Sequence, residues 1–207
     1  MKERPVTRAT LGRLPQYLQL LRKLRDENVQ NISATAIAGR LSLGEVQVRK
    51  DLCAVSGAGR PRIGYEICGL IESLEKILRY DKCTSAVLVG AGKLGRALLE
   101  YDEFEEYGVK IIAAFDCNEH ILKKGGSTEI LPLNNFESFC KTNNVQIGII
   151  TVGAGSAQDV CDLMIRNGIS AIWNFAPCKL NISENVILKQ EKLALSLAHL
   201  NNQLLRI

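Results

Sequence analysis

A short apolar run, Ser85 to Val89, leads without interruption into Gly90-Ala91-Gly92-Lys93-Leu94-Gly95 and then into an alanine- and leucine-rich stretch, Arg96 to Tyr101. No other feature of the 207 residues restricts the fold as strongly. Glycines at these three places suit a strand-to-helix loop that cradles a dinucleotide. Gly90 permits the tight turn, Gly92 lets the backbone approach a pyrophosphate, and Gly95 allows close packing of helix on strand. Ala91, Lys93 and Leu94 complete the loop and open the helix, whose N-terminal amides and dipole favour phosphate. Alone the pattern is weak. Here a second apolar strand, Val109 to Phe115, ends in Asp116, 21 positions after Gly95. A carboxylate there accepts ribose hydroxyls and repels a 2′-phosphate, which favours NAD over NADP.

A further strand is expected at Gln146 to Val152, a helix at Ser156 to Asn167 and another strand at Ala171 to Phe175. Strands alternating with helices predict an α/β fold, a doubly wound parallel sheet of the Rossmann type. Ligand groups gather at the carboxyl ends of such strands, which places Thr151, Val152, Asn174 and Ala176 near the nicotinamide half; Asn174 serves equally well as a turn-capping residue. The only histidines are His120, just past the second strand, and His199, in the last helix. Neither stands where a hydride-transfer acid belongs, and no nucleophile-base pair is evident. No catalytic residue is assigned, and the sheet reads as a cofactor reader. Leu193, Leu195, Leu197, Leu200, Leu204 and Leu205 make the stretch from Glu191 to Leu205 too apolar to lie free in water, so a second subunit is expected to bury it.

The first third of the chain differs in character. Residues 1–80 hold 14 Lys and Arg against 8 Asp and Glu, whereas the remainder is slightly acidic. Leu14, Tyr17, Leu18, Leu21 and Leu24 recur at helical spacing over residues 13–27, with Arg22, Lys23 and Arg25 outward. Ser33 is placed to cap a second helix, Ala34 to Leu41; Ser42-Leu43-Gly44 turns the chain; a third helix runs from about Gly44 to Val55. The arrangement is a helix-turn-helix over about 17–56. On its third helix Gln47 suits adenine, Arg49 suits guanine and Lys50 suits phosphate. A glycine-rich segment over about 57–65 carries Arg60 and Arg62 and reads as a wing for the minor groove. A helix from about Tyr65 to Arg79 leads out of this domain.

Seven cysteines occur singly, without a C-x-x-C pair, which fits neither a disulfide scaffold nor a zinc site; no metal is expected, and the cysteines read as reduced and mostly packing residues. No apolar run reaches the roughly 18 residues of a membrane helix, and the basic start lacks a secretory segment. The expectation is a soluble, cytoplasmic chain of three parts: a winged-helix domain at 1–80, a Rossmann domain at 81–180, and a C-terminal arm and dimerisation helix at 181–207. A small NAD-dependent oxidoreductase and a thiol-based redox regulator using Cys53 or Cys117 are the rival readings.

Several segments resemble the Rex family of redox-sensing transcriptional repressors: Arg13-Leu14-Pro15 with Tyr17, Gln47-Val48-Arg49-Lys50-Asp51-Leu52, Gly64-Tyr65, Val89 to Gly95, Tyr101, Thr151-Val152, Ala157-Gln158 and Asn174 to Pro177. The resemblance implies a homodimer with exchanged C-terminal helices, binding of NADH and NAD⁺, and a palindromic double-stranded operator released on NADH binding. It adds Arg13 to the DNA-binding residues and makes Tyr101, Gln19 and Lys192 candidates for the switch. At the last two the family usually has Arg and Asp, so the ion pair that the resemblance implies between them is replaced here. The wing departs as well, with Arg60-Pro61-Arg62 where the family has Lys-Arg-Gly, and Gly153 stands in place of a proline.

Overall fold

The computed structural model describes residues 6–78, 83–122 and 128–204, and the chain divides into two units, Met1–Lys82 and Cys83–Ile207. In the first, α1 (Arg8–Leu11) precedes α2 (Leu14–Asp26), whose buried side chains are the five predicted: Leu14, Tyr17, Leu18, Leu21 and Leu24. Strand β1 (Asn31–Ile32) leads to α3 (Ala34–Leu41), where Ser33 Oγ accepts from the Ala36 amide at 3.1 Å, the expected N-cap. Ser42 in the left-handed region ends that helix, and α4 (Glu45–Ser56) follows with Val48, Asp51 and Leu52 inward.

The chain then makes a three-residue turn, Pro61-Arg62-Ile63, between Arg60 and Gly64, which exchange backbone hydrogen bonds of 2.8 and 2.9 Å. Gly64 has φ +90°, and a Cβ there would lie 2.3 Å from the Ile32 carbonyl oxygen, so only glycine passes. Strand β2 (Tyr65–Glu66) pairs antiparallel with β1. The next helix, α5 (Ile67–Leu78), starts two residues later than the periodicity predicts. Tyr65 and Glu66 are held in the ladder, and the Glu66 carboxylate accepts from the Cys68 and Gly69 amides. Arg79, the expected helix end, lies outside the described residues.

The second unit contains β3 (Thr84–Val89), α6 (Lys93–Leu99), α7 (Glu103–Glu106), β4 (Val109–Asp116), β5 (Ile130–Pro132), α8 (Phe136–Thr142), β6 (Ile147–Ile150), α9 (Ala154–Arg166), β7 (Ala171–Asn174), β8 (Ile187–Gln190) and α10 (Leu193–Leu204). The six strands are all parallel, in the order β5-β4-β3-β6-β7-β8. The order reverses between β4 and β6 on either side of β3, the point at which doubly wound sheets hold ligands. The expected Rossmann sheet is present. Its extent is larger than expected: residues 187–190, assigned to the arm, close the sheet as β8, whose alternating exposed and half-buried residues carry little apolar signal. The terminal helix has no buried residue, and Leu193, Leu195, Leu197, Leu200 and Leu204 are all exposed. Leu205 lies outside the described residues.

Gly95 sets the distance between α6 and β3. A Cβ there would fall 2.1 Å from the Gly90 carbonyl oxygen and 3.1 Å from Leu88 Cδ2. Gly95→Ala is expected to destabilise the second unit by about 1–3 kcal/mol through overpacking, whereas Gly155→Ala, which adds a methyl to open space on α9, is expected to leave stability equal or raise it by up to about 1 kcal/mol. Urea midpoints of the two variants check this; equal midpoints would mean that the loop has room to move.

Candidate functional site

The outward residues of α4 follow from helical phase. With Val48 and Leu52 fully buried, steps of 100° place Val46, Lys50 and Cys53 on the opposite side and Arg49 on the flank, and all four are exposed. Arg49 and Glu45 form an ion pair one turn apart. Beside this face lies a groove of about 450 Å³ between α4, the start of α3 and the wing, lined by Arg49, Cys53, Arg60 and Arg62 among others. Arg62 sits at φ +64° on the turn, and Arg60 and Arg62 are both exposed. The structure thus brings Arg49, Arg60 and Arg62 to one cationic groove, with Lys50 on the adjoining helix face.

Gln47 and Arg13 are engaged differently. Asp51, one turn after Gln47 and 2% exposed, accepts five hydrogen bonds. Oδ1 takes Thr10 Oγ1, Arg13 Nη2 and Gln47 Nε2, each at 3.0 Å. Oδ2 takes Arg13 Nε and the Tyr17 hydroxyl, each at 2.8 Å. Burial pushes the Asp51 carboxyl up, but the bonds from Arg13, Tyr17, Thr10 and Gln47 outweigh it and hold the group below its ordinary value. The Tyr17 phenol is pushed up to about 12 by burial and then by Asp51. Arg13 is held bidentately, with Nη1 outside the pair. This cluster was missed in the sequence, although an Asp on the buried phase of a helix, between Val48 and Leu52, requires buried donors.

In the second unit Gly90 has φ +105°, and a Cβ on it would lie 2.8 Å from Val152 and from the Thr151 carbonyl carbon, whereas a Cβ on Gly92 meets nothing within 4 Å. Gly90 and Gly95 are therefore packing glycines, and Gly92 faces open space where a phosphate can approach the backbone. Flanking strands hold this loop from both sides. Asp116 Oδ2 accepts from the Ala91 amide at 2.7 Å and Oδ1 from the Asn118 amide at 2.8 Å. Thr151 Oγ1 donates to the Gly90 carbonyl at 2.7 Å and lies 3.2 Å from that of Val89. Lys93 and Leu94 are exposed at the start of α6, and Ala91 is buried. These residues fit a dinucleotide: a glycine-lined opening, a carboxylate at the end of the second strand, and no side chain filling the approach at Gly92.

The remaining candidates separate. Asn174 is fully buried; its Oδ1 accepts from the Ala176 amide at 2.9 Å and its Nδ2 donates to Gln190 Oε1 at 2.8 Å. Asn174 thus caps the turn that follows β7. Ala176 is buried and Val152 half-buried. Tyr101 lies just past α6, whose seven residues carry the chain about 10 Å from the glycine loop. Its hydroxyl donates to Glu103 at 2.6 Å, and its ring meets Phe104 edge-on at 5.0 Å, followed by Phe104 on Trp173 and Trp173 on Phe175. Gln19 and Lys192 are both exposed, each in its own unit. The cysteines correct an expectation: Cys161 is buried and Cys140 and Cys178 pack against the same core, but Cys53, Cys68, Cys83 and Cys117 are exposed. Among the described residues no cluster of His, Cys, Asp or Glu could hold a metal.

Two family models match the chain: a CoA binding domain over residues 81–178 and a putative DNA-binding protein N-terminus over residues 5–53. The chain is similar to the redox-sensing transcriptional repressor Rex of Clostridium novyi (strain NT), 34% identical over 197 residues, covering 95% of this chain and 94% of that one. The Rex of Desulforamulus reducens is 36% identical over 198 residues, covering 95% and 94%. Among solved structures it is similar to RSP, a Rex-family repressor, in complex with β-NAD⁺ and operator DNA, with a TM-score of 0.88 and 33% identity over 97% of this chain and 93% of that one. The β-NADH complex of RSP gives 0.85 at 33% identity, covering 97% and 95%.

The Asp51 cluster has a pH signature. A carboxyl whose folded value is depressed contributes stability that is present above its unfolded value and is lost as pH falls through the folded one. Asp51→Ala is expected to cost about 3 kcal/mol at pH 7, the low end for breaking a buried pair because Arg13 keeps some water. The stability difference between wild type and Asp51→Asn should hold constant from pH 7 to about 4 and shrink below the ordinary value of 3.8. Denaturant unfolding across that range measures it; a difference independent of pH would show that Asp51 is not ionised in the fold.

Proposed function

This chain belongs to the Rex family of redox-sensing transcriptional repressors, and we propose that it acts as a homodimer with exchanged C-terminal helices. It is a DNA-binding repressor that senses NADH against NAD⁺. The observation that carries the assignment of its DNA-binding residues is the cationic groove shared by α4 and the wing. Gln47 and Arg49 read base edges in the major groove, Lys50 neutralises phosphate, and Arg60 and Arg62 enter the narrower minor groove. Arg13, through Asp51, orients the helix and offers Nη1 to the backbone. The partner is a palindromic duplex, because two copies present two such helices.

The loop Gly90, Ala91, Gly92, Lys93, Leu94 and Gly95 receives the pyrophosphate, Asp116 the ribose, and Thr151, Val152 and Ala176 shape the floor beside the nicotinamide, with Asn174 fixing the turn. The bound cofactor supplies the signal through the redox state of its nicotinamide. In this reading the site regulates rather than turns over substrate, and the chain works in the cytoplasm. Dimer formation is supported by α10, a helix of exposed leucines, and by an apolar groove of about 400 Å³ across one sheet face, lined by Phe104, Val109, Ile111, Ile147, Ile149, Trp173 and Ile187 among others. A second copy's helix suits that face.

NADH alters DNA affinity only as far as it favours one arrangement of the dimer over another. With a duplex selected by the protein from a random pool, NADH at fixed salt should release DNA and NAD⁺ should not. Arg49→Ala should lose roughly 5- to 150-fold in affinity for that duplex, the worth of one bidentate base contact, with NADH binding intact. Gly92→Val should keep DNA binding and lose the NADH response. If DNA binding in either state ignored Arg49, the assignment of α4 as the reading helix would be withdrawn.

Redox coupling is assigned to Tyr101, Gln19 and Lys192. Gln19→Arg with Lys192→Asp should strengthen DNA binding in NAD⁺ by more than the single changes together, as expected of coupled positions. Additive effects in that cycle would remove both from the switch.

A further inference from the structure

Val46 occupies the second position of α4 and is 67% exposed, more than Leu11 or Ile63, the other exposed large apolar side chains described in the first unit. Nothing in the fold of the unit calls for an apolar residue there. Helical phase sets it opposite Val48, on the same outward stripe as Lys50 and Cys53. The first turn of a helix favours acidic or small polar side chains, and a β-branched residue is a weaker helix former than most alternatives. A site that breaks local rules twice without a packing gain is one where function is expected to compensate.

We propose that Val46 is a specificity-determining residue of the repressor, its methyl groups packing against the C5 methyl of a thymine in the major groove. The inference rests on the reading that α4 enters that groove. The C5 methyl of thymine is an apolar feature of the major-groove edge, and an apolar side chain is the matching reader. Valine suits the task because its single χ1 torsion is already restricted, so little rotamer freedom is lost on contact. Its neighbours supply the rest of the readout: Gln47 on one side, with its amide nitrogen held by Asp51, and Arg49 and Lys50 one turn on. Val46 therefore adds thymine-over-cytosine discrimination at a step where polar side chains have no handle on the methyl.

The experiment replaces thymines one at a time, in both half-sites, by deoxyuridine, which lacks only the C5 methyl. Full-length wild-type protein with NAD⁺ and the pool-selected duplex should show one thymine per half-site whose replacement weakens binding about fourfold per half-site, the value of one buried methyl. Val46→Ala should bind the unmodified duplex weaker by a similar factor and become indifferent at that thymine, while keeping the wild-type response at every other. Because Val46 is exposed, the variant folds as wild type does, which thermal unfolding confirms. A variant that kept the wild-type deoxyuridine penalty at every thymine would overturn the role of Val46, as would a wild type with no such penalty, and in both cases operator binding itself would stand. Failure of wild type to select any duplex would instead remove the DNA-reading assignment, and this inference with it.

Discussion

A carboxylate that is almost entirely shielded from water and accepts five hydrogen bonds cannot be moved cheaply, and in this chain that carboxylate lies on α4, the helix proposed to read DNA. Asp51 ties α4 to α2 through Arg13 and Tyr17 and to the chain before α2 through Thr10. A helix packed only by Val48 and Leu52 could rotate a few degrees about its axis at small cost; one also held by a buried ion pair cannot, because each donor would lose its acceptor in a low-dielectric setting. The phase of Val46, Arg49 and Lys50 is fixed by that constraint. Gln47 feels it most directly, since the acceptor-only carboxylate decides which end of its amide points inward.

The second unit uses the same logic with backbone in place of charge. The loop after β3 is shaped by two glycines that leave no room for a Cβ and is held from either side, by Asp116 at the end of β4 and Thr151 after β6. Those strands flank β3 at the point where the sheet order reverses. A crevice at such a point is an opening between two crossovers that leave in opposite directions. The loop is therefore rigid where it must hold shape and open only at Gly92.

What could be read in advance divides along physical lines. The N-cap at Ser33, the five inward residues of α2, the parallel sheet and the glycine loop were legible because each depends on local spacing or on a conformation that few residues adopt. Strands β5 and β8 and helices α7 and α8 were not foreseen, since three to seven residues with at most one fully buried carry too little periodicity. The Asp51 cluster was not foreseen either: three of its four partners, Thr10, Arg13 and Tyr17, are 34 to 41 positions away in sequence, and only its place on a buried helical phase announced it. Asn174 shows the limit most clearly. Its position at a strand end fitted cofactor contact and turn capping equally, and the capping bond to the Ala176 amide and the bond to Gln190 became visible only in three dimensions.

That facing pair also bears on how a signal leaves the cofactor crevice. Gln190 Nε2 donates to the Ala176 carbonyl at 3.0 Å and Asn174 Nδ2 returns a bond to Gln190 Oε1. The next residue, Glu191, donates its amide to the Asn174 carbonyl at 2.8 Å and accepts the Trp173 indole N–H at 3.0 Å. Lys192 and α10 follow at once. The end of β7 with its turn and the root of the terminal helix are thus joined by four hydrogen bonds over residues adjacent in sequence to both. A shift of the 174–177 turn moves the start of α10 with it or breaks several of these bonds together. Among the described residues of its unit α10 buries none of its leucines, so in the proposed dimer, where a second copy covers them, the helix would follow its root. Under the proposed function such coupling needs no long chain of contacts, because α10 begins directly after the residues that are bonded to the turn.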